Sequence, residues 1–371
     1  MGSFWNEFLG AENRLNGICP YFTMFPLTFP LTRLLRAQRG HQVLDPFCGR
    51  GTTNFAARLL GLASVGIDSN PVAVSIASAK FVAPSVENVV RLCADVLRLR
   101  KTPVDIPTGS FWRWAFDPKT LIAVCKLREF FCRECETEEA IALRAIVLGA
   151  LHGPRTKGVP SYLSNQMPRT YATKPDPAVR FWQSRNLKPH YVDTLDVITQ
   201  RAIRFFTNTP AKKPGSVIQA DARTVDLSCF QYFDWVITSP PYIGMRTYFP
   251  DQWLRSWFLG GPSHVVYSGP PQIGKENPAR FGSDLAKVWR NIAVQCNPCA
   301  TLIVRFGALP SIQVDARALL KKTLHDAQCG WRIVTIKAAG TAREGKRQSD
   351  QFFSRASLPF SEFDLYARLE K

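Results

Sequence analysis

Residues His41 to Phe81 alternate between apolar runs and helical stretches, and this alternation restricts the fold. "HQVLDPF" and "ASVGIDSN" each predict a buried strand. Apolar residues have helical spacing from Asn54 to Leu60, where Gly61 ends the pattern, and Pro71 suits the first turn of the next helix. Strands that alternate with helices predict an α/β fold with a parallel sheet covered by helices.

Five later segments complete the predicted sheet, which therefore has seven strands. A loop, rather than a helical pattern, joins the last two, so we expect these two to pair antiparallel. The five segments are "SVIQADART", "FDWVITSP", "ATLIVRFG", "GWRIVTIKAAG" and "SEFDLYARLEK".

The segment from Val72 to Gly215 is far longer than one crossover needs, so it predicts an insertion. Its first part looks helical, and its second part, His152 to His190, has seven lysines and arginines against one acidic residue. We expect three parts: an N-terminal segment (1–40), a catalytic domain (41–84 and 216–371), and a helical, basic and aromatic inserted region (85–215).

The formal net charge of +18 favours a polyanionic partner, and nucleic acid suits it better than a small acidic substrate or a membrane surface. Ten cysteines without a secretory signal predict reduced thiols in the cytoplasm, and no apolar run predicts a membrane span. Two C-x-x-C pairs, Cys132/Cys135 and Cys296/Cys299, lie far apart in the sequence, so we expect no metal site.

"DPFCGRGTT" places Asp45 at the end of the first strand and two glycines, Gly49 and Gly51, in the turn that opens a helix. Ligands of open α/β sheets bind at the carboxyl ends of strands, and glycines let the backbone approach them. The spacing is neither that of a dinucleotide site nor that of a P-loop. Asp68, after the second strand, suits either ribose hydroxyls or the N-cap of a helix.

"TSPPY" ends the fourth predicted strand with two prolines, which cannot donate to a sheet and which fix their own φ. The result is a stiff, extended tip that carries a hydroxyl, carbonyls and an aromatic ring. By itself such a tip also suits an ordinary strand-ending turn.

Together, "DPFCGRGTT" and "TSPPY" resemble the S-adenosylmethionine-dependent DNA amino-methyltransferases, particularly the N4-cytosine type. "CPYFTMFP" is similar to the segment that closes over the cofactor in that family. The resemblance covers about residues 17–81 and 216–371. It implies a class I methyltransferase (Rossmann-like) fold, with a mostly parallel seven-stranded sheet and an antiparallel last strand.

The resemblance also implies a reaction, in which a methyl group passes from S-adenosylmethionine to the N4 amine of a cytosine flipped out of double-stranded DNA. The Ser239 hydroxyl and the Pro240 carbonyl would accept hydrogen bonds from the amine, Pro240 and Pro241 would hold them in place, and Tyr242 would stack on the base. The implied cofactor-binding residues are Phe22, Thr23, Asp45, Phe47, Gly49, Gly51, Thr52, Asp68, Ser69, Asp221 (to the adenine amine) and Ala222.

Basic and aromatic residues are the predicted nucleic-acid contacts, with a solvated basic loop as the alternative. We also expect the protein to be prokaryotic and cytoplasmic and to associate with the nucleoid. Cognate restriction or defence proteins would be further partners. Three other functions stay open: N6-adenine DNA methylation, RNA guanine-N2 methylation, and DNA binding without catalysis. The predicted contacts are Arg155, Lys157, Arg169, Tyr171, Lys174, Arg246, Lys346 and Arg347.

Overall fold

A computed structural model describes most of the chain, and the statements below concern those residues. They form one seven-stranded sheet with helices on both sides. The described residues are 11–21, 25–99, 101–133, 135–153, 162–165, 174–243, 250–267, 273–274, 277–307, 314–341 and 361–370.

The strand order in the sheet is β3-β2-β1-β4-β5-β7-β6. All neighbours are parallel except β7, which runs antiparallel to both β5 and β6. The predicted seven strands and the reversed last strand are confirmed. The strands are β1 (Gln42–Asp45), β2 (Ala63–Asp68), β3 (Gly215–Gln219), β4 (Phe233–Thr238), β5 (Cys296–Phe306), β6 (Trp331–Thr341) and β7 (Ser361–Leu369).

Helices follow the strands and also fill the long segment between β2 and β3. Two short 3-10 helices accompany them, Ala11–Gly17 and Pro250–Gln252. In chain order the α-helices are α1 (Thr28–Leu34), α2 (Thr52–Leu59), α3 (Pro71–Ser78), α4 (Val86–Leu99), α5 (Ser110–Ala115), α6 (Pro118–Phe131), α7 (Glu138–Ala150), α8 (Pro175–Gln183), α9 (Thr194–Phe206), α10 (Trp253–Phe258), α11 (Pro278–Val294) and α12 (Ala316–Ala327).

The centre of the sheet is the place where the strand order reverses. β1 pairs with β2 on one side and with β4 on the other, with Val43 opposite Trp235. The connection after β1 leads towards β2, whereas the connection after β4 leads towards β5 on the other side. Such a reversal opens a crevice at the carboxyl ends of the two strands, where ligands of this fold class bind.

The chain divides into two compact units whose boundaries differ from the predicted ones. The sheet unit comprises Tyr21–Phe81, Ala211–Thr247 and Pro270–Lys371. The helical unit comprises Met1–Pro20, Val82–Pro210 and Tyr248–Gly269. The predicted N-terminal segment 1–40 is therefore shared between the units, and a piece after β4 joins the inserted helices.

Packing inside the helical unit explains why these distant pieces belong together. A Cβ on Gly149 of α7 would lie 2.2 Å from the carbonyl oxygen of Ile18, so only glycine allows this approach. The buried Arg255 of α10 donates from Nε to the Leu148 carbonyl (3.0 Å) and from Nη1 to the Pro20 carbonyl (2.9 Å). Because a guanidinium offers several donors in a fixed fork, one side chain satisfies carbonyls from separate parts of the chain.

Buried ion pairs fasten β7 to β5 in the sheet unit. Arg305 donates from Nε and Nη2 to the two carboxylate oxygens of Asp364, at 2.8 and 3.0 Å. Arg33 of α1 adds a 2.7 Å bond to the same carboxylate, and the Phe29 ring contacts both guanidinium groups. Paired donors of this kind make up for the cost of burying the charges and fix β7 against β5.

Gly51 allows the loop after β1 to pack against α3, and this gives a stability prediction. Its φ is +79°, and an added Cβ would lie 3.0 Å from the Cβ of Ala77. Gly51→Ala should therefore lower the free energy of unfolding by about 2–4 kcal/mol, which combines left-handed strain with overpacking. Gly40→Ala is the matched control, since Gly40 also has positive φ (+94°) but nothing within 4 Å of the added atom. Equal losses in chemical denaturation of the two variants would contradict the packing argument.

Candidate active site

The loop between β1 and α2 folds back on the end of β2. The amide of Cys48 donates to the Ile67 carbonyl (2.9 Å), and that of Gly49 donates to Oδ2 of Asp68 (3.0 Å). Gly49 and Gly51 both have positive φ, +51° and +79°. The loop therefore takes a conformation that side chains rarely adopt, and it is fixed to the tip of the neighbouring strand.

Asp68 is half-buried at the end of β2 and ties two backbone segments together. Its Oδ2 accepts from Gly49 N, and its Oδ1 accepts from Asn70 N at 2.8 Å. The N-cap of α3 is Asn70, whose side chain accepts from Val72 N at 3.0 Å. Of the two roles that the sequence left open for Asp68, the helix cap thus belongs to another residue. A carboxylate oxygen has further lone pairs, so this side chain can still accept a hydrogen bond from a hydroxyl group.

Asp45 lies below the loop, where it joins the ends of β1 and β4. It is 1% exposed, and its Oδ1 accepts from Thr238 Oγ1 (2.6 Å) and from Phe47 N (3.1 Å). Burial raises the pKa of Asp45 from 3.8 to about 6, although hydrogen bonds from Thr238, Thr53 and Phe47 oppose the shift. The carboxylate that we expected to contact the cofactor is thus enclosed, since the protein uses its oxygens to hold the two strand ends.

Asp221 follows β3 and is engaged by Arg223. The guanidinium donates from Nε to both carboxylate oxygens, at 2.9 and 3.0 Å, and its Nη1 lies 3.0 Å from Oδ2 of Asp284. The hydrogen bond from Arg223 lowers the pKa of Asp221. The neighbouring Ala222 is buried, and its carbonyl accepts from the side chain of Asn291 at 3.2 Å. The carboxylate that was predicted to contact an adenine amine is therefore held by an arginine, and that contact stays a prediction.

The tip after β4 has one accessible and one enclosed polar side chain. Ser239 is half-buried, whereas Tyr242 is 6% exposed. The Tyr242 hydroxyl donates to Oε1 of Glu362 on β7 (3.0 Å), and its ring meets the Phe306 ring edge-on, with centroids 5.7 Å apart. We expected this ring to stack on a base. Here it is packed in the core instead, because its hydroxyl is held by a buried carboxylate.

The aromatic residue that lies over the glycine loop is Tyr21, which the sequence analysis did not assign. An added Cβ on Gly49 would lie 3.8 Å from the Tyr21 ring. Asn70 Nδ2 donates to the Tyr21 hydroxyl at 3.0 Å. Tyr21 belongs to "CPYFTMFP", so its segment was recognised although the residue was missed.

Some of the other predicted site residues lie in the described part of the chain and some do not. Phe47, Gly49 and Ser69 are half-buried at the ends of β1 and β2, and Thr52 is buried at the start of α2. The predicted site residues that lie outside the described part of the chain are Phe22, Thr23, Arg155, Lys157, Arg169, Tyr171, Arg246, Lys346 and Arg347.

Among the predicted nucleic-acid contacts, Lys174 is within the described part of the chain. Its Nζ lies 5.2 Å from the centroid of the Tyr267 ring, which is 67% exposed. An ammonium group over an accessible ring is a cation–π contact at the surface of the helical unit. Tyr267 lies outside the basic and aromatic region of the inserted segment, and the predicted nucleic-acid contact at Lys174 stays a prediction.

The described residues contain no group of three or more histidine, cysteine or carboxylate side chains that is able to hold a metal ion. Within the same residues, none of the helices has the length and apolar character needed to span a membrane.

A family comparison finds a similarity in the first part of the chain. Residues 2–79 match the family described as DNA methylase, a match that includes the glycine loop, Asp68 and the start of α3. No curated protein matches the chain.

Solved structures of methyltransferases resemble the chain weakly. The rRNA methyltransferase aviRa from Streptomyces viridochromogenes is 13% identical, with a TM-score of 0.31, and the match covers 94% of this chain and 87% of that one. An rRNA methylase from Streptococcus thermophilus is 7% identical, with a TM-score of 0.36 and coverage of 94% and 99%. TrmN from Thermus thermophilus is 10% identical, with a TM-score of 0.39 and coverage of 96% and 53%. Likeness at this level carries no argument about activity.

The strand order and the reversed β7 give this chain the class I methyltransferase fold. S-adenosylmethionine is the cofactor of this fold class and of the DNA methylase family. The site fits it in two respects. The half-buried Asp68 supplies acceptors for hydroxyl groups, and the positive φ of Gly49 and Gly51 gives the loop the tight turn at the strand ends where ligands of this fold class bind.

Asp45→Asn tests whether a buried carboxylate links β1 and β4. Since the pKa of Asp45 is raised from 3.8 to about 6 in the folded protein, the unfolded chain releases this proton first as the pH rises. The charged form thus destabilises the fold progressively between about pH 4 and 6, by up to about 3 kcal/mol, and the loss persists above that range. Asparagine keeps an acceptor for Thr238 and does not titrate.

The free energy of unfolding of Asp45→Asn, relative to the unaltered protein, should therefore rise between pH 4 and 6.5 and then level off. Chemical denaturation at each pH measures this difference. Asp196→Asn, at an exposed carboxyl, is the control and should give no such rise. Parallel curves for Asp45→Asn and the unaltered protein would show that Asp45 titrates like an ordinary surface group.

Proposed function

We propose that this protein is a DNA methyltransferase that transfers a methyl group from S-adenosylmethionine to the exocyclic N4 amine of a flipped-out cytosine. One observation carries the proposal: the Ser239-Pro240-Pro241-Tyr242 tip follows β4, directly beside the β1 end that carries the glycine loop. The DNA methylase match over residues 2–79 supports DNA as the substrate.

The chemistry requires acceptors aimed at the amine. The lone pair of an exocyclic amine is delocalised into the base, so the amine is a poor nucleophile until acceptors draw density back to nitrogen. Ser239 is half-buried and therefore reachable, and the Pro240 carbonyl stands next to it in the tip. Because the two prolines fix the backbone, these acceptors lose little entropy when substrate binds.

The bound cofactor supplies the electrophilic methyl group. Asp68 would accept from its ribose hydroxyls, the loop at Gly49 would approach it closely, and Tyr21 would cover the loop. The link between Asp45 and Thr238 would hold the β1 and β4 ends together, so that cofactor and amine meet in line. The chain's own role is then to orient both partners and to exclude water.

The first test is incubation with labelled S-adenosylmethionine and mixed genomic DNA, digestion to nucleosides and mass spectrometry. N4-methylcytosine is the expected product. If the product is N6-methyladenine, the proposed active site stands but its substrate base is adenine. The absence of methylated DNA nucleosides, together with methylated guanosine in a parallel RNA reaction, would reject the DNA proposal.

Ser239→Ala should lower kcat by about 100-fold, the usual effect of losing one hydrogen-bonding group that acts in the transition state. Its affinity for S-adenosylmethionine, measured by calorimetry, should stay the same. For Asp68→Ala we expect the opposite pattern, in which the main effect is weaker binding of S-adenosylmethionine. Ser228→Ala, at an exposed serine, is the matched control. Full activity of Ser239→Ala would remove this hydroxyl from the reaction.

DNA affinity should fall steeply with salt, because a protein with a net charge of +18 releases counterions when it binds phosphates. Lys174→Ala should lower the slope of log K against log salt by about one and weaken binding to all sequences alike. Lys322→Ala, at an exposed lysine paired with Asp326, is the control. Fluorescence anisotropy across a salt series measures both slopes, and salt-independent binding would contradict a phosphate interface.

A further inference from the structure

Arg223 joins two carboxylates beyond the end of β3. Its Nε donates to both oxygens of Asp221, at 2.9 and 3.0 Å, and its Nη2 donates to Oδ2 of the same carboxylate. On the other side, its Nη1 lies 3.0 Å from Oδ2 of Asp284 on α11. The side chains of Arg223 and Asp284 are 16% and 6% exposed, whereas that of Asp221 is 31% exposed. The network therefore has a buried end at Asp284 and an accessible end at Asp221.

The buried end is held in place by further donors. Oδ2 of Asp284 also accepts from the amide of Gly274 at 3.2 Å, and its Oδ1 lies 3.6 Å from Nζ of Lys287. Asp284 is thus a fixed anion. A guanidinium is planar and its donors have fixed directions, so Arg223 cannot turn without losing one of its two carboxylates.

The backbone of the loop after β3 is fixed without the guanidinium. The Asp221 carbonyl accepts from the amides of Thr224 and Val225, at 3.1 and 2.9 Å. The side chain of Asn291, also on α11, donates to the carbonyls of Ala222 and Val225, at 3.2 and 2.9 Å. The guanidinium therefore acts mainly on the carboxylate of Asp221 and not on the path of the chain.

The Asp221 carboxylate can accept one more hydrogen bond. The backbone amide of Arg223 donates to Oδ1 at 2.9 Å, in addition to the donors Nε and Nη2. These donors meet a carboxylate that has about four lone-pair directions, so room for an outside donor remains. The hydrogen bond from the guanidinium lowers the pKa of Asp221, so the carboxylate stays ionised at neutral pH and can only accept.

The accessible end of the network starts beside the residue that would bind the ribose. The amide of Ala220 donates to the backbone carbonyl of Asp68 at 3.2 Å, so the loop that carries Asp221 begins next to Asp68. In S-adenosylmethionine the adenine is attached to the ribose, and its exocyclic amine is a donor. A carboxylate that only accepts suits this amine and disfavours a purine that has no donor at this position.

We propose that Arg223, anchored by Asp284, is a positioning residue: it holds the Asp221 carboxylate in the orientation that selects the adenine amine of the cofactor. The inference rests on the cofactor part of the proposed function, in which Asp68 accepts from the ribose. It does not depend on which base is methylated.

The experiment compares two ligands by calorimetry: S-adenosylhomocysteine, and its analogue in which hydrogen replaces the adenine amine. The unaltered protein should bind the compound with the amine about 10-fold more tightly, the usual effect of one hydrogen bond to a charged acceptor. Arg223→Met keeps the length of the side chain and removes its donors. In this variant the ratio of the two dissociation constants should fall to about twofold, because the carboxylate then has to be ordered when the ligand binds.

A double variant separates positioning from a structural role. In Asp221→Ala the ratio should already be about one, and adding Arg223→Met should not change it further. A merely structural Arg223 would weaken the binding of both compounds by the same factor, so the ratio would stay that of the unaltered protein. Arg332→Met, at an exposed arginine paired with Glu370, is the matched control and should leave both dissociation constants unchanged.

Asp284→Asn gives a second reading if Arg223→Met does not fold, since it keeps the guanidinium and removes the charge of its buried anchor. The ratio should fall part of the way in this variant. An unchanged ratio in whichever of the two variants folds would overturn the inference.

The same measurements distinguish this inference from the proposed reaction. If the unaltered protein binds the two compounds equally, the inference falls and the proposed reaction stands. If the ratios change as expected but the protein methylates no base amine, the inference stands and the proposed reaction falls. If the unaltered protein binds neither compound, both fall.

Discussion

The hydrogen bond from Thr238 to Asp45 joins the ends of the two strands on which the site depends. At 2.6 Å and out of contact with water, it ties the last residue of β4 to the last residue of β1. The strand order reverses between these two strands, so their following loops separate and leave a crevice. The glycine loop and the proline-rich tip therefore both start from strand ends that this bond holds together.

Acidic side chains near the ends of the strands act first as scaffold. Asp45 binds Thr238, Asp68 accepts two backbone amides, Asp221 is paired with Arg223, and Glu362 accepts from Tyr242. A buried carboxylate without partners is costly. Asp45, Asp68 and Glu362 accept from distant parts of the chain, whereas Asp221 is paired with an arginine only two residues away. At the junction of β1 and β4, burial raises the pKa of Asp45 to about 6, while the hydrogen bonds that hold the strand ends oppose this shift.

The sequence predicted the sheet well because its signals are local. The strands, the turn at Gly49 and Gly51, and the stiff tip each follow from neighbouring residues. The division into units was predicted less well. Residues after the tip join the helical unit through Arg255, whose carbonyl partners, Leu148 and Pro20, lie far away in the chain. Such contacts have no periodic signature, since a single long side chain makes them.

By itself, the sequence determined which groups stand at the strand ends and are therefore candidates for the chemistry: a serine and a proline carbonyl at one strand tip, and glycines with an acidic residue at another. Tertiary structure alone decided what each group does. It enclosed Asp45, gave the helix cap to Asn70 rather than Asp68, and turned the Tyr242 hydroxyl towards Glu362. The physical reason is that the role of a polar side chain depends on its burial and its partners, and both come from residues that are distant in the sequence.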